Sequence, residues 1–254
     1  MNDRLSLRWL GLASLALGLA MIIVDATIVN VAIPSIIADL GLQLTDAEWV
    51  NTVYSLVFAA LLVTVGRFGD LYGRKRIYLL GLAAFVAASL LAASAPTGSL
   101  LIAARALQGI GAAMILPSTL SSVNAMFRGR ERAIAFGIWG SVIGGMAALG
   151  PLVGGWLTTS YSWRWAFYIN LPIGLVAGTV ALLTVPETRD TQAARGLDPI
   201  GIVTSALGFA ALVFGLIEGE RYGWWQPTDT FRIGTWEWPL SSLSPVPLAL
   251  ALAT

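Results

Sequence analysis

The sequence predicts an all-α polytopic membrane protein, and three observations support that fold class. Hydrophobic residues make up 57% and charged residues 11% of the 254 residues, whereas soluble domains carry about 25% charged residues. Seven apolar runs follow one another, and each has the roughly 20 residues that a helix needs to cross a bilayer. Basic residues concentrate in every second connection between these runs, as expected of loops that stay on one side of a membrane.

The composition also excludes several functions. The formal net charge of +1 does not favour nucleic acid as a partner, and the absence of cysteine removes disulfides, thiol catalysis and thiolate metal sites. The chain has no histidine either, so any proton carrier inside the membrane must be a carboxylate. The sequence has no nucleophile–base pair, metal cluster or phosphate-binding loop, and we therefore expect neither an enzyme nor a cofactor or metal site.

The first apolar run resembles a signal peptide in one respect, because Arg4 and Arg8 precede it. The run from Trp9 to Ile37 is too long for a signal peptide, and no small-residue cleavage site follows a short core. We interpret it as the first spanning helix, with a cytoplasmic N-terminus. The other predicted spans are Glu48–Val65, Ile77–Ala95, Ser99–Phe127, Ala133–Thr158, Trp165–Val185 and Pro199–Ile217.

The basic residues support this orientation in the plasma (inner) membrane. Eleven fall in predicted cytoplasmic segments and three in predicted outside segments, and only Arg105 lies within a span. Lys and Arg near helix ends resist translocation, so a bias of this size sets the topology. The cytoplasmic set comprises Arg4, Arg8, Arg67, Arg74, Lys75, Arg76, Arg128, Arg130, Arg132, Arg189 and Arg195, and the outside set comprises Arg164, Arg221 and Arg232.

The stretch from Gly66 to Arg76 separates the second and third spans and carries four of the fifteen basic residues. One interpretation is a basic turn that ends a helix. The order Gly66-x-x-Gly69-Asp70-x-x-Gly73-Arg74-Lys75-Arg76 also resembles the signature loop of the major facilitator superfamily. That resemblance implies that Gly66, Asp70, Gly73 and Arg74 belong to a gating loop on the cytoplasmic side.

Asp25 is the only acidic residue that the sequence places deep within a predicted span. A charged group there costs about 2.5–3.5 kcal/mol on insertion scales, so we expect it to face protein or water. It either joins two helices by hydrogen bonding or acts as a site for a proton or a cation. Thr27 and Asn30 follow it in Asp25-x-Thr27-x-x-Asn30-x-Ala32-x-Pro34, which resembles the first-helix motif of the fourteen-helix drug:proton antiporters.

Arg105 is the only basic residue within a predicted span. It either extends toward the nearer interface or faces a water-filled cavity. The cavity is favoured because Arg105 begins a small and polar stripe at helical spacing, which continues through Gln108, Ala112, Ile115, Thr119 and Ser122. Leu101-x-x-x-Arg105-x-x-Gln108-Gly109-x-Gly111 also resembles the superfamily's fourth-helix motif, which implies a role for the arginine in proton transfer.

The fifth predicted span has small residues on one face and a proline that bends the helix. Tight helix packing is one explanation. Gly150-Pro151-x-x-Gly154-Gly155 also resembles the antiporter motif of drug exporters. A further stretch, Trp163-Arg164-Trp165-x-Phe167-x-x-Asn170-x-Pro172-x-Gly174, is similar to the fifth-to-sixth helix junction of the fourteen-helix group, whose two extra spans would begin with the seventh helix here.

These resemblances imply an N-terminal six-helix bundle of two inverted three-helix repeats plus one extra span. The expected units are a transporter half at residues 1–186, a cytoplasmic linker at 187–198, an extra helix at 199–218, and an outside loop with an atypical tail at 219–254. The tail ends in an apolar run of about 8 residues, which is too short to span a membrane.

The implied function is proton-coupled export of small amphipathic or cationic compounds, with the proton gradient as the energy source and Asp25 and Arg105 facing a central cavity. The alternative is a truncated or half-transporter chain that is inactive alone. It would act only with a partner chain, either a C-terminal half or a second copy, or serve as a membrane-embedded binding protein. On the cavity interpretation, the polar face of the fourth helix in an isolated chain would contact lipid.

Overall fold

The computed structural model describes residues 2–190, 198–233, 236–239 and 242–253. The side chains of residues 2–6, 45, 232, 233 and 236 lie outside the description. Three of the basic positions used above, Arg4, Arg195 and Arg232, therefore have no described side chain. Within the described residues, seven segments are long and apolar enough to cross a membrane.

Seven long segments and three short elements follow in chain order. The elements are α1 (Asn2–Leu40), α2 (Leu44–Tyr72), α3 (Arg74–Ala93), α4 (Gly98–Met126), α5 (Gly129–Ser160), α6 (Trp165–Tyr168), α7 (Asn170–Thr184), α8 (Pro199–Tyr222), β1 (Arg232–Ile233), β2 (Trp236–Glu237) and α9 (Pro245–Leu252). The short α6 and the longer α7 together form the sixth span.

The first six spans form two triplets that are related in how they pack. Helix α1 packs against α5 and α7, whereas α4 packs against α2 and α3. If α1, α2 and α3 are matched to α4, α5 and α6–α7, the contact of α1 with α5 corresponds to the contact of α4 with α2. The contact of α1 with α7 then corresponds to the contact of α4 with α3. This exchange is the arrangement expected of two repeats, and it puts α1 and α4 at the centre of the bundle. The predicted fold class is therefore confirmed.

Polar contacts at the two ends of the bundle separate the connections into two groups. Arg8, near the start of α1, pairs with Glu131 of α5, and Glu187, after α7, contacts the start of α3. We call this the basic end. At the other end, which we call the acidic end, Arg164 pairs with Asp39 of α1, and Arg221 of α8 pairs with Glu48 of α2.

Two predicted boundaries are wrong. The stretch from Gly66 to Tyr72 is not a loop, because α2 continues through it and only Gly73 separates α2 from α3. A single residue is enough here because Gly73 has φ +117°, which other residues rarely adopt. Helix α8 continues past residue 218 to Tyr222, where Gly223 with φ +85° follows it.

Asp198 caps α8, because its carboxylate accepts a hydrogen bond of 2.9 Å from the backbone amide of Gly201. Residues 191–197 of the predicted linker lie outside the described residues. The described residues after Tyr222 pack on α8: the strands β1 and β2 pair antiparallel, and Phe231 and Val246 form a buried cluster with Tyr222. Helix α9 contains eight residues, fewer than a span requires.

Candidate functional site

The buried ion pair between Asp25 of α1 and Arg105 of α4 lies at the centre of the candidate site. Both side chains are fully buried, and the guanidinium Nη1 of Arg105 donates to the carboxylate of Asp25. Arg105 Nε donates to the backbone carbonyl of Val50 in α2 at 3.0 Å. The guanidinium carbon also lies 4.1 Å from the ring centroid of Tyr54, within the range of a cation–π contact.

Three polar side chains extend this pair into a network across further helices. The amide of Gln108 donates to Asp25 Oδ1 at 3.0 Å and to the Ser89 hydroxyl of α3 at 2.8 Å. The amide of Asn170, the first residue of α7, donates to the same Asp25 oxygen at 2.7 Å. Asp25 therefore receives hydrogen bonds from α4 and α7, while Arg105 also bonds to α2, so one carboxylate joins α1 to the other repeat.

Two polar atoms at the edge of this network are buried and have no hydrogen-bond partner within the described part of the chain. They are Nη2 of Arg105, a donor, and Oδ1 of Asn170, an acceptor. A buried polar group without a partner is costly, so such groups are uncommon away from functional sites. The network therefore retains free hydrogen-bonding capacity beside the carboxylate of Asp25.

The predicted cavity-facing positions of α4 are wrong in one respect. Arg105 and Gln108 are buried between helices of the same unit and are not open to a central cavity, and the rest of the stripe, Ala112, Ile115, Thr119 and Ser122, is buried with them. The periodicity was identified correctly, but the polar face of α4 is directed toward α1, α2 and α3. An isolated chain therefore does not present this face to lipid.

Thr27 and Asn30 lie apart from the network. The Thr27 hydroxyl donates to the carbonyls of its own helix at Ile23 and Val24, both at 3.0 Å. Asn30 is exposed, and its side-chain oxygen accepts from the amide of Asn51 at 2.7 Å. Of the five residues predicted for the proton and substrate site, the structure brings together only Asp25, Arg105 and Gln108.

The small residues of α5 form the contact with α1. A Cβ atom added at Gly150 would lie 1.8 Å from Thr27 Oγ1, and one added at Gly154 would lie 3.1 Å from the Cα of Ile28. Gly155 is looser, with its nearest neighbour at 4.0 Å, and Pro151 is exposed within α5. The two buried glycines therefore allow α1 and α5 to approach closely.

The predicted gating residues lie at the basic end, in α2, α3 and the residue between them. The carboxylate of Asp70 accepts from Arg74 Nε at 3.0 Å and from Nη2 at 2.8 Å. Gly66, in the last two turns of α2, lies beside Pro117 of α4. The ion pair of Asp70 and Arg74 therefore bridges Gly73, the one residue that separates the two helices.

Glu187 completes this region, although no contact was predicted for it from the sequence. Its carboxylate accepts from the backbone amides of Lys75 and Arg76 at 3.1 and 3.2 Å, and the backbone amide of Arg74 donates to the carbonyl of Thr188 at 3.0 Å. An acid at this position satisfies free amides at the start of α3 and complements the helix dipole. The basic residues that follow Gly73 are thus tied to the end of α7.

Sequence reasoning also missed Ser89, Asn170 and Glu218. Asn170 was part of a motif but had no assigned contact, and Ser89 had no signal beyond being a polar residue in an apolar run. Glu218 is a second buried acid within a spanning segment, 4% exposed. The glycine at position 223 was the signal that could have extended α8 far enough to include it.

The paired triplets and the buried charge pair between α1 and α4 define the class: a multi-pass helical membrane protein built from two three-span repeats. The chain belongs to the Major Facilitator Superfamily, whose sequence profile matches residues 15–224. Similar solved structures include a peptide transporter POT, with TM-score 0.65 and 17% identity over 82% of this chain and 51% of that one. The human organic anion transporter MFSD10 is another, with TM-score 0.64 and 15% identity over 83% and 56%.

Curated relatives have names that refer to resistance and export. The Puromycin resistance protein pur8 of Streptomyces alboniger is 41% identical over 87% of this chain and 44% of its own length. The Multidrug efflux pump LfrA of Mycolicibacterium smegmatis is 41% identical over 82% and 41%. The Probable actinorhodin transporter of Streptomyces coelicolor is 40% identical over 85% and 38%. The chain therefore spans less than half the length of these relatives.

Proposed function

We propose that this chain forms the N-terminal unit of a proton-coupled exporter of small amphipathic or cationic compounds, with Asp25 as the proton-binding group. The observation that carries the proposal is the fully buried Asp25–Arg105 pair. The names of the relatives support the substrate class, and the proton gradient serves as the energy source without a cofactor. The N-terminus and the basic end face the cytoplasm, at the plasma membrane.

The proposed mechanism follows from what protonation does to the network. A neutral Asp25 no longer attracts Arg105 by charge, and its protonated oxygen can no longer accept every present hydrogen bond. Protonation therefore weakens the link from α1 to α4 and α7. A proton or substrate shifts the balance between inward-open and outward-open states only if it binds the two states with different affinity.

In this proposal, alternating access requires a second helical unit. Facilitator-type transporters rock one half against the other around a site near the midplane. The seven described spans make up one such half plus one further helix. In a second candidate function, these residues do not transport alone and act only with a C-terminal half or a second copy, or as a membrane-embedded binding protein.

Efflux of a fluorescent cation from cells lacking their own exporters tests both candidates. The chain is expressed alone and together with the C-terminal half of the Streptomyces alboniger relative, with and without a proton uncoupler. We expect uncoupler-sensitive efflux only with both halves, and we expect Asp25→Asn to reduce it by about a hundredfold, the lower bound of the effect usual for a proton-transferring group. Asp46→Asn makes the same chemical change at an exposed position and should leave efflux unchanged.

Two outcomes would contradict these proposals. Full proton-coupled efflux in Asp25→Asn would remove Asp25 from the proton path and leave it a packing role. Uncoupler-sensitive efflux from the chain alone would contradict the requirement for a second half, and crosslinking would then show whether two copies of the chain form the active unit.

A further inference from the structure

A cavity of about 620 Å³ lies at the acidic end between α1, α2 and α8. Its volume is within the range of roughly 300–1,000 Å³ that is usual for small-molecule sites. The wall includes Asn30 of α1, Asn51 of α2 and Glu218 of α8. These residues take no part in the Asp25 network, so the cavity is a separate feature of the molecule.

The charge of the cavity wall is strongly negative. Four acids line it, Glu48, Glu218, Glu220 and Asp229, against one base, Arg221. Arg221 is already paired with Glu48 at 3.2 Å and with Asp229 at 3.4 Å. The carboxylates of Glu218 and Glu220 therefore add negative charge that this arginine does not balance.

Glu218 is the acid best placed to hold a ligand. It lines the cavity although its residue is only 4% exposed, and its neighbour Thr52 can donate one hydrogen bond to it. An ionised carboxylate has about four acceptor positions, so one hydroxyl does not saturate it. A buried carboxylate is stabilised by a positive partner, and a cation in the cavity would supply one.

The other residues of the cavity wall provide both a polar acceptor and apolar surface, which suits a ligand that is partly apolar. The side-chain oxygen Oδ1 of Asn51 is buried and has no hydrogen-bond partner among the residues that the structure describes, so the wall offers an acceptor in addition to the carboxylates. The side chains of Ile33 and Ile217 add apolar surface. A wall with a buried acid, a free acceptor and aliphatic side chains complements an amphipathic cation.

We propose that this cavity is a binding site for organic cations, with Glu218 as the charged anchor and with α8 forming one wall. The inference rests on the export function proposed above, because it locates a second point on the route of the same class of compound. In the proposed orientation the cavity opens at the outer side of the membrane, where an exported cation would leave. The extra spanning helix thus contributes directly to ligand binding.

The test measures binding of radiolabelled tetraphenylphosphonium to the 254-residue chain in lipid nanodiscs, with empty nanodiscs as the blank. Glu218→Gln should lower the affinity at least tenfold, because a desolvated charge pair with the ligand is lost. Glu220→Gln removes an exposed charge of the same wall and should lower it about threefold. Glu131→Gln, an acid at the basic end, is the matched control and should leave the affinity unchanged.

Thermal unfolding of each variant shows whether it is folded, and Glu220→Gln decides the test if Glu218→Gln is not. The proposal is overturned if wild type does not bind the cation above the blank, or if neither variant lowers the affinity. Loss of binding in Asp25→Asn with full binding in Glu218→Gln would also overturn it, because the cation would then bind at the buried network. That last result would leave the proposed export function standing, since the efflux assay tests it separately.

Discussion

At the scale of single residues, the molecule is organised by charges that it buries. Asp25 and Arg105 are both inaccessible to solvent, and their hydrogen-bond partners come from α2, α4 and α7. Removing two charges from water costs free energy, and their mutual attraction offsets most of that cost only when the geometry of the pair is good. Removing one partner is therefore far more harmful than replacing both.

We expect Arg105→Gln to lower the free energy of unfolding by about 3–5 kcal/mol, because the charge of Asp25 remains buried without its partner. The double variant with Asp25→Asn should regain most of this loss, since neither charge is then present. Denaturant unfolding in detergent, followed by circular dichroism, measures both values. Equal stability of the single and double variants would mean that the pair is not an energetic unit.

At the scale of elements, two close contacts hold neighbouring helices. Helix α5 packs on α1 through Gly150, where a methyl group has no room, and through Gly154, where one would lie 3.1 Å from the Cα of Ile28. At the basic end, the segment after α7 caps α3 through Glu187. The first contact depends on small residues and the second on a charge. Different substitutions should therefore weaken one contact without the other.

The prediction for the first contact is that Gly150→Ala destabilises the chain by about 1–3 kcal/mol, as overpacked contacts do. The added Cβ would lie 2.8 Å from the Cβ of Thr27, so one of the helices must shift. Thr27→Ala in the same chain should restore part of the stability. Gly144→Ala, where nothing lies within 4 Å of the added Cβ, is the matched control. An equal loss of stability in this control would mean that the effect of Gly150→Ala arises within α5 and not from its contact with α1.

The prediction for the second contact concerns the first turn of α3. Glu187→Ala should weaken the cap by about 1 kcal/mol, which corresponds to roughly fivefold faster hydrogen exchange at the amides of Lys75 and Arg76. Exchange mass spectrometry of the reconstituted chain measures the difference. The control Glu131→Ala removes an acid that pairs with Arg8, and its effect on exchange should be confined to α5. Unchanged exchange at the start of α3 in Glu187→Ala would show that Glu187 does not cap this helix.

At the scale of the whole molecule, the two ends differ in charge and in construction. The basic end carries the arginines and the lysine around Gly73 and the arginines at the start of α5, and the acidic end carries the cavity described above. Within the described residues the polar stripe of α4 is buried, so packing within the six-span unit shields this stripe from lipid. The exposed residues of α7 and α8 are mostly apolar, as expected of surfaces that contact lipid.

Cysteine labelling tests the proposed orientation, because the chain has no native thiol. Arg130 is exposed in the first turn of α5, and Pro96 is exposed in the turn between α3 and α4. We expect Arg130→Cys to react with an impermeant maleimide only after the inner membrane is permeabilised, and Pro96→Cys to react in intact cells. The reverse pattern at both positions would invert the topology.

Much of the fold could be predicted from the sequence, and the reason is that hydropathy and charge act locally along the chain. The apolar runs predicted seven spans, and the residues of one helical stripe, from Arg105 to Ser122, were identified by their period. Asp25 and Arg105 were singled out because each is the kind of residue that a span rarely tolerates. The ends of the helices were predicted less accurately than their number. Helix α2 continues to Tyr72 and α8 to Tyr222, and each ends where the conformation of the following glycine stops the helix.

By itself, then, the sequence determined the class, the number of spans, and the charged residues that the membrane forces to find partners. Only the tertiary structure decided which partners they find. A polar stripe with helical period is identical whether it faces a cavity or another helix, so the burial of Arg105 and Gln108 followed from how α4 is rotated against α1, α2 and α3. The roles of Ser89, Asn170, Glu187 and Glu218 likewise depend on residues far away in the chain, because a hydrogen bond forms where helices meet in space.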